Sequence, residues 1–192
     1  LITGHAVDDV LHPTMVDRLH VLPATPNLAG ANIELVQVDS REFKLHEMLN
    51  QAKDRYDYII IDNPPSLGLL TINGLAAADE LLIPVQCEYY ALEGLSQLLK
   101  TITLVQQRLK PNLSILGALM TMHDERNRLS GEIFNELYRY FPHKIFRTVI
   151  PRTSRLAEAP SYGQPISHYD PKGKGARACL LYTSPSPRDD QT

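Results

Sequence analysis

One short apolar run constrains the fold of this chain more than any other feature. The stretch 56–71 reads YDYIIIDNPPSLGLLT, in which three consecutive isoleucines precede one aspartate and two prolines. An unbroken apolar run of this kind predicts a central parallel strand that is covered on both faces. Pro64 and Pro65 cannot donate to a sheet ladder, so the predicted strand, 56–61, must end at Asp62.

The position of Asp62 leaves two interpretations open. Ligands of open α/β sheets bind at the carboxyl ends of the strands, where a carboxylate can organise a magnesium-bound phosphate. An aspartate before a turn also commonly caps the next helix. The strand alone favours neither role.

Strands and helices are predicted to alternate along the chain. Strands are expected at 19–22, 80–85, 114–120 and 144–150, and helices at 8–11, 28–35, 41–51, 68–78, 91–109, 131–140 (with Ser130 as N-cap) and 152–159. This order predicts an α/β fold with a doubly wound, mostly parallel sheet and flanking helices.

Composition indicates one domain with a sizeable core. The chain has 192 residues, of which 43% are hydrophobic and 21% charged. We expect one partial domain over 1–177. The Ser/Pro/Asp-rich end predicts that 178–192 is a disordered or non-native tail. The start has no signal-peptide pattern. It also has no initiator Met, so an upstream part is expected to be missing.

The cysteines and the charge pattern narrow the environment. Cys87 and Cys179 have no paired spacing, which argues against a disulfide framework or zinc site and favours a cytoplasmic protein. No apolar run is long enough for a membrane span. Residues 1–122 carry 8 Lys and Arg against 14 Asp and Glu, whereas residues 123–177 carry 10 against 6. The basic region is a modest sign of a polyanionic partner, and a solvated surface is the plainer interpretation.

Five blocks resemble the ParA/Soj family of chromosome- and plasmid-partitioning ATPases, in the deviant Walker A class that includes MinD. The blocks are LPATPNLAGANIEL at 22–35, YDYIIIDNPPSLGLLT at 56–71, IPVQCEYYALEGLSQL at 83–98, TMHDERNRLS at 121–130 and VIPRTSRLAEAPSYGQPISHYDPKGKGA at 149–176. The resemblance implies a P-loop NTPase-like fold with ATP and Mg²⁺ as cofactors. It also implies that the protein forms a homodimer when ATP is bound. The implied partners are non-specific DNA and a ParB-like centromere-binding protein, and the implied location is cytoplasmic and nucleoid-associated.

The resemblance also assigns roles to single residues around the nucleotide. Asp62 matches the Walker B aspartate, which is catalytic and acts on Mg²⁺, usually through water. The position of Asn63 departs from the family, where a small residue or Cys is commoner. The expected nucleotide-binding residues are Pro64, Pro65, Ser66, Thr121, Met122, Pro151 and Arg152, and the expected dimer-facing residues are Glu88, Tyr89 and Tyr90. For Met122, core packing is nearly as good an explanation.

Two arginines match the family's contacts to non-specific DNA, Arg126 and Arg155. Such binding needs only phosphate contacts, although a surface salt bridge is the ordinary role of an exposed arginine. Arg128 stands where the family usually has a polar residue and would strengthen the basic patch. Lys172, Lys174 and Arg177 could add to the same surface, but a solvated loop explains them better.

The 192 residues contain no Gly-rich phosphate loop, neither GxxxxGK[ST] nor the deviant KGGxGK[ST]. In the family this loop and the first strand lie at the N-terminus, so we expect both to be missing here. Phosphoryl transfer is mostly positioning and charge stabilisation, so we expect the chain as given not to hydrolyse ATP. Two alternatives stay open: a MinD-like membrane-surface ATPase and a non-enzymatic DNA or protein interaction module. A dinucleotide oxidoreductase is disfavoured, because no G-x-G-x-x-G follows a strand.

Overall fold

The computed structural model describes residues 6–64, 66–88, 91–124, 126, 129–142 and 144–183. The chain divides into two compact units. Unit 1 comprises Leu1–Asp79 and Leu98–Ser114, and unit 2 comprises Glu80–Gln97 and Ile115–Thr192. The expected domain boundary at 177 stays a prediction.

Helices and strands alternate between residues 69 and 140 of the described chain, as the sequence predicts. The helices are α1 (Val7–Val10), α2 (Ala31–Glu34), α3 (Lys44–Leu49), α4 (Leu69–Ala77), α5 (Ala91–Arg108), α6 (Leu129–Tyr140), α7 (Ser154–Glu158), α8 (Ile166–Tyr169) and α9 (Lys174–Thr183). The strands are β1 (His12–Pro13), β2 (His20–Val21), β3 (Glu80–Gln86) and β4 (Ser114–Thr121). The predicted α/β class is therefore confirmed. Among the described residues, no helix combines the length and apolar character that crossing a bilayer requires.

The predicted strand at 56–61 is wrong. The structure gives these residues no strand, and none of the described strands pairs with them. Tyr58 and Ile60 are 88% and 93% exposed. A strand needs a neighbour that satisfies its backbone N–H and C=O groups, so apolar composition without such a partner does not form one.

Unit 2 is built around parallel pairing. Cys87 N, just after β3, donates to Thr121 O at the end of β4 over 3.1 Å. On the other side of β4, parallel bridges join Ala118 to Ile145 and His123 to Pro151. The predicted fourth strand at 144–150 is thus reduced to an isolated bridge at Ile145, with the second bridge at Pro151, one residue after its predicted end. The carboxyl ends of β3, of β4 and of this bridged segment lie at one edge of unit 2.

Pro84 lies inside β3, although the sequence predicts that the strand ends near it. Alternate residues of a strand direct their N–H groups to opposite edges, and Cys87 donates toward β4. The nitrogen of Pro84 therefore faces the other edge, where its missing N–H breaks no bond to β4. Ile83 and Val85 are buried and Pro84 is exposed, so β3 is covered on one face and not on both.

Two helix boundaries differ from the sequence prediction. Helix α6 begins at Leu129, so Ser130 is inside the helix and is not its N-cap. Helix α9 runs to Thr183, so 178–183 continues a helix where a disordered tail is expected. Ala176 in its first turn is fully buried, which anchors this helix in unit 2. Residues 184–192 lie outside the described part of the chain.

Candidate functional site

In unit 1, helix α4 holds the segment that follows Asp62. The Thr71 hydroxyl, which is buried, donates to the backbone oxygen of Ser66 and, over 3.5 Å, to that of Pro64. The Asn63 amide lies against Gly74, where an added Cβ would overlap it. Asn63, Pro64 and Ser66 therefore contact α4, through the side chains of Thr71 and Asn63. The sequence shows this segment only as a proline-rich stretch.

Helix α4 is in turn held by two asparagines. Asn73 is only 1% exposed and makes three hydrogen bonds. Its Oδ1 accepts from Leu45 N at 3.0 Å, and its Nδ2 donates to Arg41 O at 2.8 Å and to Leu69 O at 3.0 Å. At the start of α4, Asn32 Oδ1 accepts from Leu70 N at 3.4 Å. The helix thus lacks its own N-cap side chain and receives one from α2.

The carboxylate of Asp62 is the one candidate magnesium ligand that the sequence identifies. Asp62 is exposed, and the described residues contain no group of three or more His, Cys, Asp and Glu side chains that could form a metal cage. Mg²⁺ commonly keeps several waters and binds through one or two carboxylates together with substrate phosphates. A single carboxylate fits that mode and does not fit an all-protein metal site.

In unit 2, Met122 follows β4 in an unusual backbone conformation. Its φ is +53°, in the left-handed region that a side chain with a Cβ seldom adopts. Backbone bonds hold both neighbours: Thr121 O accepts from Cys87 N, and His123 N donates to Ile150 O at 3.0 Å. The Met122 side chain is 42% exposed, so the core-packing interpretation of this residue is wrong.

Arg152 joins two residue groups that the sequence assigns to different roles. Its Nη2 lies 2.6 Å from Glu88 Oε1 and 3.8 Å from the sulfur of Met122. Arg152 and Met122 are expected nucleotide-binding residues, and Glu88 is an expected dimer-facing residue. Pro151 takes part in the parallel bridge to His123 that places Arg152 there. The structure therefore brings together five of the predicted residues at one edge of unit 2: Glu88, Thr121, Met122, Pro151 and Arg152.

The two arginines expected to bind DNA each form an ion pair within their own segment. Arg126 makes a two-pronged contact to Asp124, with Nε to Oδ1 at 3.1 Å and Nη2 to Oδ2 at 3.2 Å. This guanidinium lowers the pKa of the Asp124 carboxyl, chiefly through the side-chain hydrogen bond. The Arg126 side chain is still 90% exposed. A phosphate in solution can therefore reach it.

Arg155 belongs to a cluster with Glu158 and two tyrosines. Its Nη1 lies 3.2 Å from Glu158 Oε2 and 3.4 Å from the Tyr169 hydroxyl, and its guanidinium carbon is 5.8 Å from the centre of the Tyr169 ring. The Tyr169 hydroxyl donates to the same Glu158 oxygen at 3.0 Å, and Tyr162 stacks on Tyr169. The hydrogen bond to Tyr169 is the main cause that raises the pKa of Arg155, so this guanidinium is charged at every working pH.

Further cations lie around the start of α9. Arg147, Lys174 and Arg177 line a shallow surface concavity, and Arg177 Nε donates to Lys172 O at 3.1 Å. The segment before α9 is ordered by this bond and by that of Gly173 N to Asp170 O, where the sequence indicates a solvated loop. Whether these cations share a DNA surface with Arg155 stays a prediction.

Comparison with known proteins assigns the family. A family model described as an AAA domain (AAA_31) matches residues 1–115. The Bacillus subtilis sporulation initiation inhibitor protein Soj is 55% identical over 180 residues, which cover 94% of this chain and 71% of that protein. The chain belongs to the ParA/Soj family.

Further relatives agree with this assignment. The chromosome partitioning protein ParA of Myxococcus xanthus is 52% identical over 180 residues, 94% of this chain and 64% of that protein. The chain thus spans about two thirds of the length of these relatives. A crystal structure titled cobyrinic acid a,c-diamide synthase from Mycobacterium smegmatis, with a bound ATP analog and magnesium, has a TM-score of 0.76 and 37% identity over 91% of this chain and 64% of that one.

Some of the predicted site residues lie outside the described part of the chain. Some contacts of the site were not predicted from the sequence. Pro65, Tyr89, Tyr90 and Arg128 lie outside the described residues. The sequence patterns predict no role for Asn73, Glu158 or Tyr169. The spacing of Arg155 and Glu158 on a predicted helix could have indicated their pair, because side chains three apart share a face. Nothing local indicated the contact of Tyr169, which is 14 residues from Arg155 in sequence.

Proposed function

We propose that the protein is a DNA-partitioning ATPase, which dimerises with ATP, binds DNA without sequence preference and is released by a ParB-like partner. The observation that supports this most is the 55% identity to Soj over 94% of the chain. The exposure of Arg126 and Arg155, at 90% and 60%, agrees with a role in phosphate contact.

Residues of unit 1 and residues of unit 2 are each proposed to have a role toward the nucleotide. ATP and Mg²⁺, when bound, supply the transferable phosphoryl group and neutralise the developing charge. Asp62 is the residue that would orient the water shell of the metal, and α4 holds the segment after it through Thr71. Around the end of β4, Met122, Pro151 and Arg152 offer a thioether, a ring and a cation, which suit contact with a flat base.

The binding of DNA requires only cations that reach phosphates. Each arginine presents a fork of N–H donors that matches a phosphate, and neither needs to read a base edge. Binding of this type is independent of sequence and strongly dependent on salt. The protein is proposed to be cytoplasmic and associated with the nucleoid, as non-specific DNA binding implies.

We further propose that the 192-residue chain does not turn over ATP by itself, because its sequence contains no phosphate loop. The purified chain should release no phosphate above background with ATP and Mg²⁺. Clear magnesium-dependent turnover, abolished by Asp62→Ala, would refute this proposal.

The DNA proposal is tested in the protein expressed from its complete reading frame. Arg126→Ala and Arg155→Ala should each weaken ATP-dependent retention on random-sequence duplex DNA. Each should lower the slope of log affinity against log salt by about 0.9 per lost phosphate contact. Arg139→Ala, an exposed arginine paired with Glu136, is the matched control. Retention that is unchanged in both variants, or equally reduced in the control, would rule out these residues.

A further inference from the structure

Both arginines that are proposed to bind DNA share a feature that their role does not require. Each is paired with a carboxylate a few residues away: Arg126 with Asp124, two residues earlier, and Arg155 with Glu158, three residues later. The N···O distances are 3.1 Å and 3.2 Å. In the free protein, Nε and Nη2 of Arg126 and Nη1 of Arg155 thus already contact an internal anion.

The contacts occupy the atoms that phosphate recognition would use. Asp124 engages both Nε and Nη2 of Arg126, the parallel pair of donors that also binds a phosphate oxygen pair. A guanidinium cannot offer the same two donors to a carboxylate and a phosphate at once. Binding of DNA through this fork must therefore displace Asp124.

The Glu158 carboxylate is itself held in place. Its Oε2 accepts from the Tyr169 hydroxyl at 3.0 Å, in addition to the contact from Arg155. Tyr169 is stacked on Tyr162 with ring centres 5.0 Å apart. The hydrogen bond from Tyr169 limits the rotation of Glu158 away from Arg155. The carboxylate therefore stays where a phosphate would have to replace it at the guanidinium.

We propose that Glu158 and Asp124 are internal competitors of DNA phosphate, which weaken non-specific binding and keep it reversible. The proposal rests on the proposed function, since it assumes that Arg126 and Arg155 contact DNA. The competition is modest, because all four side chains are at least 37% exposed and water screens such pairs. Each DNA phosphate carries one negative charge, like a carboxylate, but a duplex presents many of them close together, and this charge density lets DNA displace the carboxylates without a large barrier.

The test compares two Glu→Gln variants that remove the same charge from the same kind of pair. Glu158→Gln should lower the apparent Kd for random-sequence duplex DNA about two- to fivefold, the range that exposed ion pairs support. Glu136→Gln is the control, because Glu136 pairs with Arg139 at 2.8 Å with the same three-residue spacing in unit 2. The measurement is fluorescence anisotropy with the complete protein, ATP and Mg²⁺.

A second comparison links the gain to the arginine. In an Arg155→Ala background, Glu158→Gln should increase DNA affinity no more than Glu136→Gln does, because no guanidinium is then present for Glu158 to occupy. Asp124→Asn should behave in the same way with Arg126. Equal gains from Glu158→Gln and Glu136→Gln would overturn the inference and show an effect of net charge alone.

The two proposals fail in different ways. Arg155→Ala without effect on DNA binding would refute the role of this arginine in DNA binding, and with it the competition at Glu158. Weaker binding by Arg155→Ala, together with no specific gain from Glu158→Gln, would leave the DNA role intact and overturn only the competition. A gain that persists in the Arg155→Ala background would also overturn it.

Discussion

Replacing Asn73 by leucine tests how helix α4 is held to the rest of unit 1. The side chain is 1% exposed, and leucine has a similar size but no polar atoms. The change removes three hydrogen bonds, to Leu45 N, Arg41 O and Leu69 O. At about 1 kcal/mol net for each bond, the free energy of unfolding should fall by about 3 kcal/mol. For a chain of this size the melting temperature should fall by about 6–12 °C.

The measurement is urea unfolding at constant temperature, followed by circular dichroism at the helix band. Asn112→Ala is the matched control, because Asn112 is an exposed asparagine of the same unit. It should change the free energy of unfolding by less than about 0.5 kcal/mol. A loss below about 1 kcal/mol for Asn73→Leu, with an unchanged slope against urea, would show that water replaces the lost partners and would refute the reasoning.

Two smaller predictions concern unit 2. Thr153→Ala removes the N-cap of α7, whose Oγ1 accepts from Leu156 N at 3.2 Å, and should cost about 1 kcal/mol. Amide exchange at Leu156 should then accelerate, and unchanged protection would contradict the cap. Arg126 lowers the pKa of Asp124, so the pair stabilises the fold above the ordinary carboxyl pKa. This effect is lost as the pH falls through the lowered pKa. Arg126→Ala should raise the Asp124 pKa in a carbon-detected NMR titration, and no change would exclude the pair in solution.

Elements that depend on local pattern could be predicted from the sequence. Helix α5 is an example, since apolar residues at every third or fourth position indicate one buried face. The structure buries Leu95, Ile102 and Val105 on that helix. Strands β3 and β4 also lie where short apolar runs indicate them.

Features that depend on distant partners could not be predicted. The isoleucine run at 59–61 has strand composition, but Ile60 is 93% exposed because none of the described strands pairs with it. Asn73 looks like an ordinary helix residue, and its role is set by the backbone of Arg41 and Leu45, which the sequence does not place beside it.

In the candidate site, too, the residues could be named from the sequence, but their contact partners could not. Matching blocks identified Asp62, Arg126, Arg152 and Arg155 as candidate residues. Their partners followed from the fold: Glu88 reaches Arg152 across 64 residues, and Tyr169 reaches Arg155 across 14. The family resemblance therefore predicts which residues are candidates for the site, and the packing determines what each one contacts.

The left-handed backbone of Met122 has a consequence for which sequences this site can accept. At a φ of +53°, glycine carries no steric penalty, and asparagine and aspartate carry a small one. A β-branched residue such as valine or isoleucine would meet its own backbone there, although either would suit the strand that ends one residue earlier. Position 122 thus disfavours the β-branched side chains that strand β4 favours. The residues that suit the backbone therefore differ between the last position of β4 and the position directly after it.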